Sequence, residues 1–162
     1  MNELKIIPHS EEAERGVLGS IMLKPDILDG IGLCREEFYD RRHQELFGQM
    51  DDMNRANVGM DAITIAEWLK DKNAIDKCGG YDYLIQIQNG TLVPSHSEHY
   101  AKIVTEKAEY RRHIDIGNKL CESAYKSEDG SDDAMVGLME KVASADSEVP
   151  LDVLANQFID DC

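Results

Sequence analysis

The sequence predicts an all-α protein in which a globular helical subdomain precedes a long helical hairpin. Apolar residues recur at helical spacing along most of the chain. A stretch from Ser97 to Tyr125 contains no helix breaker, and its roughly 42 Å as a helix exceeds what a compact domain needs. The prolines fall between the periodic segments, where they start or separate helices; they are Pro8, Pro25, Pro94 and Pro150.

The first predicted helix runs from about Glu11 to Leu23. Ser10 is suited to the N-cap, and the acidic first turn matches the positive end of the helix dipole. Gly16 and Gly19 lie one turn apart, and each lowers helix propensity by about 1 kcal/mol. We therefore expect them to permit close packing against another helix. The apolar stripe of this helix consists of Ala13, Val17, Leu18, Ile21 and Met22.

Four further segments complete the predicted globular subdomain. Pro25 opens a short one, a helix follows over about residues 41–54, and Asp61 caps the next helix. His43, in the second of these, is expected to be a packed rather than a catalytic histidine. The run after Gly79 and Gly80 fits either a helix or a strand, and we take it as a helix; its apolar residues are Tyr81, Tyr83, Leu84, Ile85 and Ile87.

The C-terminal half predicts a hairpin followed by a short helix. Ser95 and Glu98 fit a capping box at the start of the long helix. A second amphipathic stretch carries Met135, Leu138, Met139 and Val142, and the residues after Pro150 repeat apolar positions at Leu151, Leu154 and Phe158. The predicted domains are therefore 1–96 (globular), 97–144 (hairpin) and 145–162 (linker and short amphipathic helix).

The charge balance argues against direct binding of nucleic acid. The chain has 17 basic and 32 acidic residues and a net charge of −15, so its field repels polyanions. Residues 97–126 escape this excess, with six basic and five acidic residues. No apolar run reaches the ~20 residues of a membrane span, and residues 1–10 lack the features of an export signal. We therefore expect the chain to remain in the cytoplasm.

Motifs for catalysis or cofactor binding are not found in the sequence. No glycine is followed by lysine, so no phosphate-binding loop for ATP can be assigned. The histidines form no H-E-x-x-H pair of metal ligands. We expect His96 and His99 to be solvated capping residues; the alternative is that they bind an adventitious metal ion. We predict no catalytic, cofactor-binding or metal residues.

The cysteines are expected to be reduced and inert. They lie about 40 residues apart without a C-x-x-C pair, so neither a zinc ribbon nor a redox motif is encoded. An enzyme with an unrecognised Cys/His site remains a third, disfavoured class of function; it would draw on Cys34, Cys78 or Cys121.

An ordered series of motifs resembles the N-terminal domain of the DnaB-type replicative helicases of bacteria and phages. The series covers residues 8 to about 115 and holds the family's order and approximate spacing. It comprises Pro8-His9-Ser10-Glu11-Glu12-Ala13-Glu14, Val17-Leu18-Gly19, Phe38-Tyr39 with His43 and Leu46-Phe47, Asp61-Ala62-Ile63-Thr64, Gly79-Gly80-Tyr81 with Tyr83-Leu84, and Tyr100-Ala101 before Ile103-Val104.

The resemblance implies a role in assembly rather than catalysis. In this family the hairpins of neighbouring subunits pair, and the N-terminal domains of the hexamer form a collar that is a trimer of dimers, on which primase and sometimes a helicase loader dock. Residues 150–162 are similar to the start of the linker helix, which packs on the motor of an adjacent subunit through, here, Leu151, Leu154 and Phe158. ATP and Mg²⁺ would belong to a motor domain that this chain lacks.

The hairpin supplies the predicted partner interface. Its first helix is nearly neutral beside acidic neighbours, so it can approach a second copy with little repulsion. The alternative is that these apolar residues all form intramolecular core, and that the last helix folds back onto the hairpin. The predicted interface residues are Ile103, Ile114, Leu120, Leu138, Met139 and Val142.

The predicted function is thus a non-catalytic helicase collar domain that binds itself, primase and possibly a loader. The alternative is a free-standing phage or mobile-element protein that binds a host helicase or primase as an adaptor or inhibitor.

Overall fold

The computed structural model describes residues 6–91, 93–126 and 136–137, and every regular element in this part of the chain is helical. The all-α prediction is confirmed. Within these described residues, three short 3₁₀ turns lie at Arg35–Glu37, Asp76–Cys78 and Pro94–His96. The α-helices are α1 (Glu11–Leu23), α2 (Ile27–Gly30), α3 (Arg41–Arg55), α4 (Ala62–Asp71), α5 (Gly80–Gly90) and α6 (Ser97–Lys126).

The helices begin where capping chemistry allows. The Ser10 hydroxyl accepts a hydrogen bond from the Ala13 amide at 3.2 Å, so α1 begins and ends at the predicted residues. Asp61 caps α4 by accepting from the amides of Ile63 and Thr64 at 2.9 and 3.0 Å. Both predicted N-caps are confirmed.

The segment after the paired glycines is a helix rather than a strand. Gly79 and Gly80 have φ angles of 92° and 82°, a region that other residues adopt only with strain. They turn the chain out of the 3₁₀ turn so that α5 can begin at Gly80 and bury Tyr83, Leu84 and Ile87.

The predicted capping box at the start of α6 is wrong. Ser95 lies inside the 3₁₀ turn that begins at Pro94, and this turn leads directly into α6 at Ser97. Pro94 has the fixed φ that suits a first helical position. The chain therefore starts to coil before Ser95, which cannot act as the extended N-cap residue that the box requires.

The two glycines of α1 allow the close packing that the sequence predicts. A Cβ at Gly16 would lie 2.7 Å from the Tyr100 ring, and one at Gly19 would lie 2.7 Å from the Ile87 carbonyl oxygen. A methyl group fits at neither position without displacing a neighbour. α5 and the start of α6 thus approach the backbone of α1 directly.

The core lies among α1, α3, α4, α5 and the first turns of α6. Residues with almost no exposed surface include Leu18, Ile21, Phe38, Leu46, Met50, Met53, Ile65, Leu69, Leu84 and Ile87. Their contacts define a first compact unit that ends at Arg111, and a second unit begins at Arg112. Of the second helix of the predicted hairpin, the structure describes only Val136 and Gly137, both helical, and the predicted final helix lies outside the described residues.

Candidate functional site

A buried polar junction ties three helices of the first unit together. Glu14, on α1, is only 2% exposed, and its carboxylate oxygens accept hydrogen bonds from the Tyr39 amide at 2.6 Å and the Asp40 amide at 3.2 Å. His43, on α3, is fully buried with its Nδ1 2.6 Å from the same carboxylate. The Glu14 side chain thereby fixes the backbone segment that leads into α3.

The junction continues to α5 through the other ring nitrogen of His43. Its Nε2 lies 2.7 Å from the Tyr83 hydroxyl. A carboxylate can only accept hydrogen bonds, so Nδ1 carries the hydrogen and donates to Glu14, and in the neutral ring Nε2 accepts from the Tyr83 hydroxyl. Burial raises the pKa of that hydroxyl above its usual range, which keeps it protonated and able to donate.

Charged side chains cover the outer side of the junction. The Arg42 guanidinium lies 4.3 Å from the centre of the Tyr83 ring and also forms an ion pair with Asp40 at 2.6 Å. Hydrogen bonding to Arg42 lowers the pKa of the Asp40 carboxyl. Gly79 completes the arrangement, because a Cβ there would meet the Tyr83 ring at 2.7 Å.

The junction stabilises the fold as a buried network of hydrogen bonds. Among the described residues, every buried polar side-chain atom has a hydrogen-bond partner. The prediction that His43 is a packed histidine is confirmed by its complete burial. Burial also raises the pKa of the Cys78 thiol to about 12, so this cysteine is no nucleophile near neutral pH. No cluster of ligating side chains suited to a metal ion occurs in the part of the chain that is described.

The accessible apolar surface of α6 beyond Arg111 is a different kind of site. Ile114, Cys121 and Tyr125 are spaced by seven and four residues and share one helix face. Ile114 is 46% exposed and Tyr125 is 90% exposed. We call these three residues the α6 stripe. A stripe of this spacing is suited to packing against another helix.

The predicted interface residues are found in three different environments. Ile114 belongs to the α6 stripe and Leu120 is half-buried. Ile103 is half-buried and packs against the core of the first unit. Their role in an interface stays a prediction. The remaining residues predicted for partner binding or linker docking lie outside the described part of the chain: Leu138, Met139, Val142, Leu151, Leu154 and Phe158.

A second exposed apolar surface lies at the start of the described chain. Arg111 donates hydrogen bonds to the carbonyl oxygens of Pro8 at 2.8 Å and Glu37 at 2.5 Å. The His9 ring stacks on the Tyr39 ring with centroids 4.3 Å apart, and Arg111 lies 5.6 Å from the centre of that ring. These contacts hold residues 6–9, including the exposed Ile6 and Ile7, against the rest of the first unit.

A shallow groove of about 450 Å³ lies among α1, α5 and the start of α6. Its walls combine the backbone of Gly16 with the side chains of Ile87, Tyr100 and Ile103. The rim carries the charged side chains of Glu12 and Arg15. Its lining supplies no group that identifies a ligand.

Two central residues were missed at the sequence level. Glu14 was counted among the acidic residues of the first helical turn, although it lies three, four and seven residues before Val17, Leu18 and Ile21 and so shares their buried face. That spacing was the available signal. Arg111 shares the apolar face of α6 with Ala108 and Ile114, which signals an inward-facing arginine. That spacing does not identify its partners Pro8 and Glu37, which are 103 and 74 residues away in sequence.

Comparison with known proteins identifies relatives of this chain. The family model described as the DnaB-like helicase N terminal domain matches residues 6–106. Replicative DNA helicase DnaB of Haemophilus influenzae is 37% identical over 125 residues, which are 76% of this chain and 27% of the relative. Replicative DNA helicase DnaC of Bacillus subtilis is 31% identical over 133 residues, 81% of this chain and 29% of the relative. The chain thus spans little more than a quarter of the length of these relatives.

Solved structures share the fold. The crystal structure of the N-terminal domain of DnaB helicase from Mycobacterium tuberculosis aligns with a TM-score of 0.78 and 25% identity, over 83% of this chain and 99% of that one. A DnaB-like replicative helicase, described together with its interactions with primase, aligns with a TM-score of 0.72 over 93% of this chain and 36% of that one. At 21% identity the second match shows the fold alone. In the described part of this chain, no helix combines the length and apolar character of a membrane span.

Proposed function

Because the chain belongs to the family of DnaB-like helicase N-terminal domains, we propose that it acts in the cytoplasm as a non-catalytic collar domain of a replicative DNA helicase. In this role it mediates subunit dimerisation and hexamer assembly, and the assembled collar docks primase or a loader. The segment matched in the relatives is a quarter to a third of their length. The net charge of −15 favours protein partners over nucleic acid.

The α6 stripe is the observation that carries this proposal. An isolated exposed apolar residue is ordinary, but residues in helical register on a surface helix are the pattern used for helix–helix association. The residues around the stripe belong to a nearly neutral segment, residues 97–126, of a strongly acidic chain. A second copy can therefore approach there with little repulsion. In a twofold pair, the stripe residues of both copies would be buried in the same interface.

Sedimentation velocity of the full chain over a concentration series tests dimerisation. The wild type is expected to shift from monomer to dimer as its concentration rises. Ile114→Asp places a charge in the α6 stripe and is expected to leave only monomer, because an unpaired charge buried in an interface costs several kcal/mol. Ile63→Asp is the matched control, since Ile63 is 63% exposed and belongs to α4 rather than to the stripe.

Two results would contradict the proposal. One is a wild type that stays monomeric at high micromolar concentration, and the other is an Ile114→Asp variant that dimerises as well as the wild type. Addition of ATP and Mg²⁺ is expected to change neither result, because the proposal places no nucleotide in this chain.

Primase docking is tested separately by calorimetric titration with the primase of the organism that encodes the chain. We expect binding by the dimer and weaker binding by the monomeric Ile114→Asp variant, because a platform built from two copies is lost. A primase that gives no heat change with the wild type would remove this part of the proposal. The same titration with a helicase loader in place of primase tests whether the loader docks on this domain.

A further inference from the structure

The aliphatic residues in and around α2 keep part of their surface exposed. α2 itself buries none of its residues. Ile27, Leu28, Ile31 and Leu33 are all half-buried, with one side packed against the core of the first unit. An isolated exposed aliphatic residue is ordinary on a protein surface, but four within seven positions are a candidate surface for binding.

A groove of about 290 Å³ lies between this segment and α3. On the α3 side, Phe47, Gly48 and Asp51 are spaced by one and three residues and so share one face of the helix. Gly48 has no side chain, and a Cβ there would approach another residue, Arg35, no closer than 3.4 Å. We call this recess the α2 groove. Its other lining residues include Leu28, Leu33, Cys34 and Glu36.

Hydrogen bonds fix the α2 side of the groove. The Asn54 side chain donates to the Asp29 carboxylate at 2.7 Å, which ties α2 to the end of α3. The Glu37 carboxylate accepts from the Cys34 amide at 2.8 Å, which fixes the entry into the 3₁₀ turn. The α2 groove is therefore formed before a partner arrives, and binding costs little conformational entropy on this side.

The charge around the α2 groove is negative. Residues 26–37 carry four acidic side chains and one basic one. Glu36 and Asp51 line the groove itself. The pKa of the Cys34 thiol is raised by burial and by the carboxylates of Glu37 and Glu36, so the negative potential extends to the groove. Cationic groups on a partner are attracted to such a rim.

We infer that the α2 groove binds an amphipathic helix of another protein, one that carries lysine or arginine beside a stripe of aliphatic side chains. Every regular element among the described residues is helical, so this part of the chain offers a partner helix a groove rather than a strand edge. A second copy would bring further acidic groups to an acidic rim. The volume lies below the roughly 300–1,000 Å³ of small-molecule sites. This binding goes beyond the proposed function and does not use the α6 stripe.

Protection of Cys34 from alkylation locates the bound helix. The probe is a synthetic 18-residue peptide of leucine and lysine with its leucines in one helical stripe, and the control peptide has the same composition with scattered leucines. We expect the first peptide to slow alkylation of Cys34 in the full chain at least about fivefold and the control peptide to leave the rate unchanged. Cys121, also exposed, monitors the α6 stripe.

Two substitutions separate the apolar from the charged contribution to binding. Gly48→Gln places a side chain in the groove and raises helix propensity, so it should fold normally but weaken peptide binding at least about tenfold. Its control is Gly90→Gln, where a Cβ meets open space. Glu36→Gln should weaken binding about twofold to fivefold at low salt, whereas Glu67→Gln should not. Both glutamates are mostly exposed and lie near a cation of their own segment.

Three results would overturn the inference. The first is equal protection of Cys34 by the two peptides, and the second is equal peptide affinity of Gly48→Gln and Gly90→Gln. The third is protection of Cys34 by raising the concentration of the chain alone, which would identify a second copy as the occupant. Unchanged thermal unfolding shows that each variant is folded. Sedimentation velocity of Gly48→Gln should match that of the wild type, so dimerisation through the α6 stripe stands or falls separately.

Discussion

Glu14→Gln tests whether the buried junction depends on a carboxylate. In the wild type, one carboxylate oxygen accepts the Tyr39 amide at 2.6 Å, and the other accepts the Asp40 amide at 3.2 Å and His43 Nδ1 at 2.6 Å. A glutamine amide has one oxygen and one NH₂ group. In either orientation, the NH₂ group faces at least one partly buried backbone N–H, which then loses its acceptor.

The structure sets the magnitude of this effect. A buried N–H without an acceptor costs about 1–3 kcal/mol, and hydrogen bonds to a neutral oxygen are weaker than those to a carboxylate. Removal of a buried charge recovers some desolvation energy. The sum is a loss of about 2 kcal/mol in the free energy of unfolding. At typical urea sensitivities this lowers the unfolding midpoint by about 1 M.

Urea titration followed by tryptophan fluorescence measures this loss. Trp68 is the only tryptophan of the chain, and its Nε1 donates to the Gln49 side chain at 3.1 Å within the first unit. All variants are compared at one concentration in the Ile114→Asp background, because dimerisation would add to the apparent stability. Glu12→Gln, a neighbouring exposed position, is the control and should change stability by less than about 0.5 kcal/mol. Equal midpoints for Glu14→Gln and Glu12→Gln would refute the reasoning.

Three further predictions concern single side chains of the first unit. Gly19→Ala is expected to lower the free energy of unfolding by about 1–3 kcal/mol in the same titration, because its methyl group would collide with α5, whereas Gly90→Ala, which has open space, should not destabilise. Alkylation of the native protein should modify the exposed Cys34 but spare Cys78, which is buried and has a pKa raised to about 12. Peptide mass spectrometry measures the two rates, and equal rates would contradict the prediction. Hydrogen bonds from the backbone amides at the start of α4 lower the pKa of Asp61. The cap therefore stabilises the fold fully above the unfolded pKa of about 4 and loses this effect as the pH falls through the lower folded pKa. The free energy of unfolding of Asp61→Ala should be roughly 1 kcal/mol below that of the wild type near neutral pH, and this difference should shrink on acidification; a difference that stays constant with pH would contradict the prediction.

Local signals in the sequence predicted most of the fold. α1 begins after Ser10 and ends at Leu23, because the capping oxygen, the acidic first turn and the apolar stripe all act within a few residues of one another. The paired glycines were likewise enough to predict a break before α5. The capping box at Ser95 failed because Pro94 starts the turn earlier, and a short motif carries no information on which of two adjacent start signals prevails.

Contacts between distant residues could not be predicted in the same way. His43 meets Glu14 across 29 residues and Tyr83 across 40, and Arg111 meets Pro8 across 103. A single sequence does not encode such pairings as a spacing rule, since they depend on how helices pack after they form. Helical register alone places Ile114 on the apolar stripe of α6, and the structure leaves it 46% exposed, while its role in an interface stays a prediction.

The acidic side chain at the centre of the core also selects among competing arrangements of the helices. If α3 were displaced along α1 by one turn, a shift of about 5 Å, Glu14 would be enclosed without the amides of Tyr39 and Asp40 or the ring of His43. Apolar side chains tolerate such a shift, because one aliphatic surface resembles another. A buried carboxylate that has lost its hydrogen-bond donors is strongly destabilising. Glu14 therefore makes the correct alignment of α1 and α3 distinguishable from its near neighbours while the chain folds.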